Sequence, residues 1–455
     1  MLAMVAAAGS GPPLTTLSPK LNIDSPWRLG LGARLRGPLA RQMVWSLLGN
    51  GLTALWSLTM SILAARRLET PVFGRLALLL SVQVVLNTIM NSALGQTAVR
   101  MTAELREQNP ARLRTVAAML WVVTGGLTVA CTVVFLLGGP AAHAAVLGPL
   151  PPQSAILAAG AVLLCTGLIA LQQGFLAGFG AFGAVAGANA VRLAVGVTVL
   201  LLAPPTLAGA VTALAAGMLA GLLAGAVLWT RAHRGALKDL PWTQWVTEIR
   251  LLWTFAVPSW LTGALFVIAA WLGNLIIANG AGGFSEVGYF NAASQWGRSL
   301  LLFVPNAIAA PLLVAMSALW GRQDTAGLGR LAKRGLLFCF ATTAAPCILV
   351  YLLDSFLLTR YGVAYLHALP ILHILLISTT VASFTIVANV ALTASGRMWT
   401  IAGITGLWAV AFLAMLEPES HRTGVGLAHA YLVAYAIQTI VTIPFLGAAM
   451  RRIRA

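Results

Sequence analysis

The sequence predicts an all-α polytopic membrane protein with about 12 transmembrane helices in two pseudo-symmetric six-helix lobes. Three observations support this fold class. The chain of 455 residues is 59% hydrophobic and only 9% charged, whereas soluble proteins carry roughly 25% charged residues. Its apolar residues fall in runs of about 20, the length with which a helix crosses a ~30 Å hydrocarbon core. A basic loop then divides these runs into two sets of six.

The predicted spans follow one another with short loops. Their approximate bounds are 42–65, 74–98, 115–138, 154–177, 184–204, 208–230, 251–279, 286–318, 335–357, 367–394, 399–416 and 425–449. The eighth is too long for one straight crossing, so Pro305 and Pro311 predict a kink or protruding ends. The resulting organisation is a cytoplasmic tail (1–41), an N-lobe (42–230), a cytoplasmic linker (231–250), a C-lobe (251–449) and a cytoplasmic C-terminal tail (450–455).

Basic residues are distributed unequally between the two sides of the predicted membrane. With the N-terminus in the cytoplasm, 21 of the 28 Lys and Arg residues lie in cytoplasmic segments and five lie in the opposite loops. This is the positive-inside pattern, so both termini are expected in the cytoplasm. The net charge of +17 therefore does not indicate a nucleic-acid partner.

The same pattern argues against an enzyme. No predicted outer loop is long enough to form a domain, and the sequence has no G-x-x-x-x-G-K-[ST] loop for ATP. The six histidines and four cysteines are scattered without metal-ligand spacing. We therefore expect a transporter with no cofactor and no metal site.

The two halves of the chain resemble each other weakly. VWSL at 44–47 opens the first half as LWTF at 252–255 opens the second, and FGRL at 73–76 matches VGYF at 287–290. Any two leucine-rich halves share composition, but here the spacing and the Gly turn agree as well. Each half has an even number of spans, so the repeats are parallel and related by an axis along the membrane normal. Such lobes can rock about a central cavity.

Polar side chains form stripes within three predicted spans. They recur at i, i+4 and i+8 in the second span and at i, i+4 and i+7 in the eighth, so each set lies on one helical face. Interhelical hydrogen bonding and a hydrated lumen are both consistent with such stripes. With two tryptophans that can stack on sugars, the candidate glycan-contacting residues are Asn50, Gln83, Asn87, Asn91, Asn291, Gln295, Trp271 and Trp296.

Two arginines, Arg192 and Arg298, lie well inside predicted spans, whereas the carboxylate Asp354 is near the end of the ninth; Arg75 and Glu286 lie at the starts of the second and eighth spans. A charge in hydrocarbon costs from about 3 to roughly 10 kcal/mol or more, so it seldom persists without a purpose. A basic, acid-poor interior indicates an anionic cargo, and guanidinium groups bind phosphate with two hydrogen bonds. We predict that Arg298, Arg192 and Arg100 contact a phosphate group. Snorkelling stays open for Arg192, and a positive-inside anchor stays open for Arg100.

Residues 62–100, ILAARRLETPVFGRLALLLSVQVVLNTIMNSALGQTAVR, resemble the polysaccharide transporter family. In that family a first span ends in A-R-x-L-G-P-x-x-F-G and a second ends in A-x-V-R. The matching residues are Ala65-Arg66-Arg67-Leu68, Pro71, Phe73-Gly74 and Ala98-Val99-Arg100. Glu69 replaces the middle Gly. Residues 251–291, 360–365 and 394–397 also resemble the family, so the resemblance covers nearly the whole chain.

This family belongs to the multidrug/oligosaccharidyl-lipid/polysaccharide (MOP) exporter superfamily. The resemblance implies a V-shaped pair of six-helix bundles in the bacterial inner membrane. It also implies Wzx-type flipping of an undecaprenyl-pyrophosphate-linked oligosaccharide for surface or exo-polysaccharide biosynthesis, by alternating access. The pyrophosphate would be the anion that the arginines contact. The implied partners are this glycan, the lipid bilayer, and the polysaccharide polymerase with its chain-length machinery. The coupling ion stays open between H⁺ and Na⁺.

Three alternatives stay open. A MATE-like ion-coupled drug exporter has the same fold, but such carriers bind cations with acidic lumen residues, of which Asp354 is the one candidate here. A murein-precursor flippase usually has fourteen spans. A membrane glycan polymerase or ligase enzyme generally carries a large outer loop with catalytic residues, which this sequence does not predict.

Overall fold

The computed structural model describes residues 38–90, 94–147, 151–232, 257–321, 324–395 and 397–451. Every regular element within these ranges is helical. The α-helices are α1 (Pro38–Arg67), α2 (Thr70–Met90), α3 (Gln96–Gln108), α4 (Pro110–Leu137), α5 (Gly139–Leu147), α6 (Gln153–Gly178), α7 (Phe182–Leu202), α8 (Leu207–Ala232), α9 (Val257–Ala278), α10 (Gly283–Trp296), α11 (Phe303–Gly321), α12 (Thr325–Leu352), α13 (Asp354–Thr359), α14 (Leu369–Ala394), α15 (Met398–Ala414) and α16 (Gly424–Arg451).

The prediction of an all-α polytopic membrane protein is confirmed. Ten helices among the described residues are long and apolar enough to cross a membrane. The two other predicted spans correspond to α15, an apolar helix of 17 residues, and to the interrupted pair α10 and α11. By its contacts the chain divides into Met1–Val44 and Trp45–Ala455, and the larger unit contains the described helices of both predicted lobes apart from the start of α1.

The predicted eighth span is broken before its prolines. A π-helical turn, Gly297–Leu301, separates α10 from α11, and the N–H of Leu302 donates to the carbonyl of Gly297. The break lies just before Pro305, which has no N–H to offer the carbonyl four residues earlier. The backbone then stays helical through Pro311, so only the first proline coincides with an interruption. Single π-helical turns of this kind are frequent at functional sites.

The second predicted span, 74–98, corresponds to α2 and the start of α3. Asn91 lies between the described ranges. The helix α3 packs closely on α6 because two glycines face it: a Cβ on Gly174 would lie 2.7 Å from the carbonyl oxygen of Gly95, and one on Gly178 would lie 2.9 Å from that of Val99. These glycines therefore permit close helix approach.

The two lobes contact each other through α2, which packs against α9 and α10. At its first turn, Gly74 lies directly against the backbone carbonyl of Phe284. The reciprocal contact places Gly288 of α10 against Thr70, where a Cβ would lie 3.0 Å from the Thr70 carbonyl oxygen. Phe284 lies four positions before Gly288, and Thr70 lies four positions before Gly74. The two contacts are therefore reciprocal, as a two-fold repeat requires. We call these four residues the inter-lobe clasp.

Aromatic side chains bury the clasp on one side. Phe73, which is fully buried, packs edge-on against Tyr361 and Tyr365, with ring centroids 6.4 and 5.8 Å apart. Tyr365 also packs against Tyr289 of α10, with ring centroids 5.8 Å apart. These rings extend the hydrophobic contact between the lobes beyond the glycines.

Candidate functional site

A cavity of about 670 Å³ lies between the two lobes. Its walls come from α1, α2, α7 and α8 of the N-lobe and from α9, α10, the π-helical turn, α11, α14 and α16 of the C-lobe. This volume is in the range of sites for small molecules and cofactors, roughly 300–1,000 Å³. The two halves of the sequence therefore contribute opposite walls of one site.

The structure brings most of the predicted lumen residues together. Those that line the cavity are Asn50, Gln83, Asn87, Asn291, Gln295, Trp271 and Arg192. Trp296 lies elsewhere, because its ring is buried and packs edge-on against Tyr361, with centroids 6.4 Å apart. Asn91 and the side chains of Arg100 and Arg298 lie outside the described residues. The backbone of Arg298 belongs to the π-helical turn, between the lining residues Gly297 and Ser299.

Arg192 lies at the middle of α7, as the eleventh of its 21 residues. At 1.5 Å per residue this is about 15 Å from either end of the helix, too deep for the snorkelling alternative. The side chain is 9% exposed, and its guanidinium carbon lies 4.8 Å from the ring centroid of Trp56. The Nε of Arg192 is buried and has no hydrogen-bond partner among the described residues. A donor of the guanidinium therefore remains unsatisfied.

Two glycines of α8 make room for this arginine. A Cβ on Gly221 would lie 2.9 Å from the Cβ of Arg192, and a Cβ on Gly217 would lie 2.9 Å from its carbonyl oxygen. Gly217 also faces the ring of Trp56, where a Cβ would lie 2.5 Å from the nearest ring carbon. Small residues on α8 thus allow the Arg192–Trp56 pair to fit inside the N-lobe.

A buried hydrogen-bond network supports this pair one turn away. Asn189, three residues before Arg192, donates to the Thr53 hydroxyl at 3.1 Å and to the Gly49 carbonyl at 3.2 Å. Gln173 donates to the Asn189 side-chain oxygen at 2.9 Å. The network joins α1, α6 and α7. Asn189 was missed in the sequence, although its i, i+3 spacing with Arg192 on one helical face was the available signal.

A hydrogen bond joins the lobes at the cavity wall. The Gln295 amide of α10 donates to the Ser57 hydroxyl of α1 and to the Ser299 hydroxyl of the π-helical turn. Asn274 of α9, which also lines the cavity, donates within its own helix to the Ala270 carbonyl at 3.1 Å. The polar stripe of the eighth span therefore serves interhelical bonding and cavity lining together, the two interpretations that the sequence left open.

The described lining residues carry one cation and no carboxylate. Arg192 is this cation. Asp354, the acid near the end of the ninth predicted span, begins the short helix α13 after α12 has ended, and it is not among the lining residues. Its carboxylate accepts from His373 at 2.7 Å and from Ser355. Burial raises the pKa of Asp354, but the hydrogen bonds from His373 and Ser355 lower it more, so the net pKa falls below the usual value.

The C-lobe wall combines aromatic rings with polar side chains. Besides Trp271, the lining rings are Phe266, Phe290, Phe303, Tyr431 and Tyr435. The sequence prediction missed these five residues, because apolar rings inside a span are not distinguishable from core packing. The i, i+4 spacing of the two tyrosines in the twelfth span was the one available signal.

Comparisons with known proteins agree with this architecture. The model of a family described as "Polysaccharide biosynthesis protein" matches residues 39–317. The EPS I polysaccharide export inner membrane protein EpsE of Ralstonia nicotianae (strain ATCC BAA-1114 / GMI1000) is 23% identical over 363 residues, covering 76% of this chain and 80% of that protein.

Solved structures share the fold at low sequence identity. An inward-facing multidrug resistance MATE family transporter of the MOP superfamily has a TM-score of 0.72 at 16% identity, covering 87% of this chain and 94% of its own. A MOP superfamily transporter from Pyrococcus furiosus Vc1, described as having a binding pocket of reverse polarity, has a TM-score of 0.63 at 15% identity. The match covers 92% of this chain and 97% of that transporter. Both therefore share the helical architecture of this chain.

Proposed function

We propose that this chain, which belongs to the polysaccharide biosynthesis protein family and is a multi-pass transporter of the MOP superfamily, flips a lipid-linked oligosaccharide. The proposed cargo is an undecaprenyl-pyrophosphate-linked repeat unit, moved from the cytoplasmic to the periplasmic leaflet of the bacterial inner membrane. The product would pass to the polymerase and chain-length machinery of surface or exo-polysaccharide biosynthesis. The relative EpsE, named as a polysaccharide export inner membrane protein, supports the export role.

One observation carries the proposal that the cargo is an anion. Arg192 is buried at the middle of the apolar helix α7, in a cavity whose described lining contains no carboxylate. Its charge has no counter-ion among the described lining residues, so a phosphate group that accepts from the guanidinium would lower the cost of burying it as well as form a strong hydrogen bond. A cationic drug would meet the same charge with repulsion, which favours the flippase over the MATE-like alternative.

The inter-lobe clasp supports alternating access. The clasp joins the first turns of α2 and α10, while the cavity residues Gln83 and Asn291 lie further along the same helices. Separating the lobes at the clasp would therefore give the cavity a route to that side. The excess of basic residues on the opposite side, 21 against five, supports a periplasmic position for the clasp.

A reconstituted flipping assay tests this function. The probe is undecaprenyl-pyrophosphate-linked N-acetylglucosamine oligosaccharide, radiolabelled and distributed over both leaflets of unilamellar vesicles. A membrane-impermeant glycosidase then degrades whatever glycan faces the outside. Without protein, about half of the glycan should stay protected, because polar head groups do not cross hydrocarbon unaided. With the wild-type protein the protected half should disappear.

The matched variants are Arg192→Gln and Arg231→Gln, since Arg231 is an exposed arginine near the end of α8. Arg192→Gln should leave half of the glycan protected, and Arg231→Gln should behave like the wild type. Persistent protection with the wild-type protein would contradict the flippase. Ethidium transport driven by an H⁺ or Na⁺ gradient in the same vesicles would instead support the drug exporter.

A further inference from the structure

We propose that the aromatic C-lobe wall of the cavity is a sugar-stacking platform that binds the pyranose rings of the cargo, while Arg192 in the N-lobe binds its phosphate. The platform consists of Phe266, Phe290, Tyr431 and Tyr435. This inference rests on the proposed function and adds to it a subsite and an orientation: the glycan faces one lobe and the anion faces the other.

The four rings form one connected surface from three helices. Tyr431 of α16 stacks on Phe290 of α10, with ring centroids 5.7 Å apart and planes inclined by 17°. Tyr431 also stacks on Tyr435, with ring centroids 6.1 Å apart and planes inclined by 28°. Tyr435 contacts Phe266 of α9 at 6.4 Å. The connected rings place an aromatic patch on the cavity side of the C-lobe, which a sugar ring can cover.

A second layer of rings holds the platform in place. Trp408 and Phe412 of α15 are fully buried and stack on each other, with centroids 5.0 Å apart and planes inclined by 9°. The ring centroid of Trp408 lies 4.6 Å from that of Phe266, and the ring centroid of Phe412 lies 4.7 Å from that of Tyr431. Because these buried rings leave the platform few alternative rotamers, little side-chain entropy remains to be lost on binding.

The chemistry of the wall fits a sugar better than a lipid tail. The face of an aromatic ring is electronegative, so it attracts the partly positive C–H bonds on the apolar face of a pyranose. The amides of Asn274 and Asn291 line the cavity on the same helices as Phe266 and Phe290, within the C-lobe wall. Amides can bond the sugar hydroxyls, whereas a hydrocarbon chain would leave them unsatisfied.

Binding to two probes separates the sugar subsite from the phosphate subsite. One probe is farnesyl pyrophosphate, and the other is farnesyl pyrophosphate bearing one N-acetylglucosamine. The full-length purified protein in detergent is titrated with each by isothermal calorimetry. We expect the wild type to bind the sugar-bearing probe about fivefold more tightly, the factor of a typical aromatic contact.

Variants at the platform should change only the sugar preference. Tyr431→Leu and Tyr435→Leu should abolish the preference for the sugar-bearing probe. Their affinity for the sugar-free probe should stay within about twofold of the wild-type value. Tyr431→Phe and Tyr435→Phe keep the ring and should keep the preference. Phe340→Leu is the matched control, because Phe340 stacks on Phe384 at 5.5 Å in the same lobe but does not line the cavity.

Each failure has a distinct meaning. A wild type without sugar preference, leucine variants that keep the preference, or leucine variants that weaken both probes equally would overturn the platform. A wild type that does not bind farnesyl pyrophosphate, or whose binding is unchanged by Arg192→Gln, would overturn the proposed function instead. Because the wild-type comparison needs no substitution, misfolding of a variant does not leave the inference undecided.

Discussion

Arg192 is a charge whose burial is offset by neighbours of three kinds. The ring of Trp56 faces its guanidinium, the glycines of α8 admit its stem, and the Asn189 network fixes the helix one turn away. A desolvated cation–π contact contributes about 2 kcal/mol, which is less than the cost of a charge in hydrocarbon. The part of the burial cost that this contact does not offset would favour the binding of an anion next to Arg192.

At this scale the sequence predicted amide positions better than aromatic ones. Asn50, Gln83 and Asn87 line the cavity as expected, because an amide in a span must face another helix or water. Trp296 does not, because an apolar ring is equally stable in a packed core against Tyr361. The contact between Arg192 and Trp56 was not predictable either, since it joins helices that are far apart in sequence.

Arg298 leads to the first prediction. Its backbone lies in the π-helical turn between two cavity-lining residues. Arg298→Ala should abolish surface polysaccharide in a strain that depends on this gene, because the proposed phosphate contact would be lost. Arg298→Lys should be milder but not neutral, since an ammonium cannot form the bidentate contact. Polysaccharide is measured by immunoblot of whole cells.

The control is the amount of protein in the membrane, which both Arg298 variants should leave unchanged. Normal polymer output from Arg298→Ala would contradict a role for this cation in the lumen. A loss of polymer together with a loss of the protein would show a structural role and would contradict the prediction equally.

At the scale of elements, the interrupted eighth span shows how far a proline predicts structure. Pro305 and Pro311 indicated a distortion, and the interruption lies just before the first of them. Its π-helical form was not predictable, because that depends on how the neighbouring helices pack against the turn. The turn adds one residue to the helical path and so rotates the faces of α10 and α11 relative to each other. This lets residues of both helices line one cavity.

The Asn189 network gives a prediction at the same scale. Asn189→Ala removes the hydrogen bonds that join α7 to α1 and α6. Buried interhelical bonds in membranes contribute about 1 kcal/mol each, so the apparent melting temperature in detergent should fall by a few degrees. Tryptophan fluorescence on heating measures this. Asn279→Ala is the control, because Asn279 is exposed and bonds only to the Leu275 carbonyl among the described groups. An equal shift in both variants would contradict a special role for the network.

At the scale of the molecule, hydrophobic run length and charge placement were enough to predict the fold, because a membrane permits few architectures. The weak repeat between FGRL at 73–76 and VGYF at 287–290 also had physical content, since its two glycines meet in the inter-lobe clasp. The unequal chemistry of the two cavity walls was beyond the sequence, because it arises from the rotation of each helix within its lobe. If sugar and phosphate bind opposite walls, the bound head group bridges the lobes and couples binding to their movement.

The clasp therefore gives a prediction for the whole molecule. Gly74→Ala places a methyl group against the Phe284 carbonyl, so it should separate α2 from α10 and shift the population towards a state open at the clasp. The reporter is Ala77→Cys, a position 1% exposed on α2, in a background without the native cysteines. Its reaction with a membrane-impermeant maleimide, added to cells from outside, should be faster in the Gly74→Ala variant.

Gly126→Ala is the matched control, because a Cβ on Gly126 meets no atom within 4 Å, and it should leave the rate of labelling unchanged. Gly288→Ala should act in the same direction but more weakly, since its Cβ would lie 3.0 Å from the Thr70 carbonyl oxygen, whereas a Cβ on Gly74 would overlap the Phe284 carbonyl. The outcome that excludes the clasp as a gate is unchanged labelling in both clasp variants while flipping continues at the wild-type rate. Faster labelling with slower flipping is the expected result, because a carrier held open on one side cannot complete its cycle.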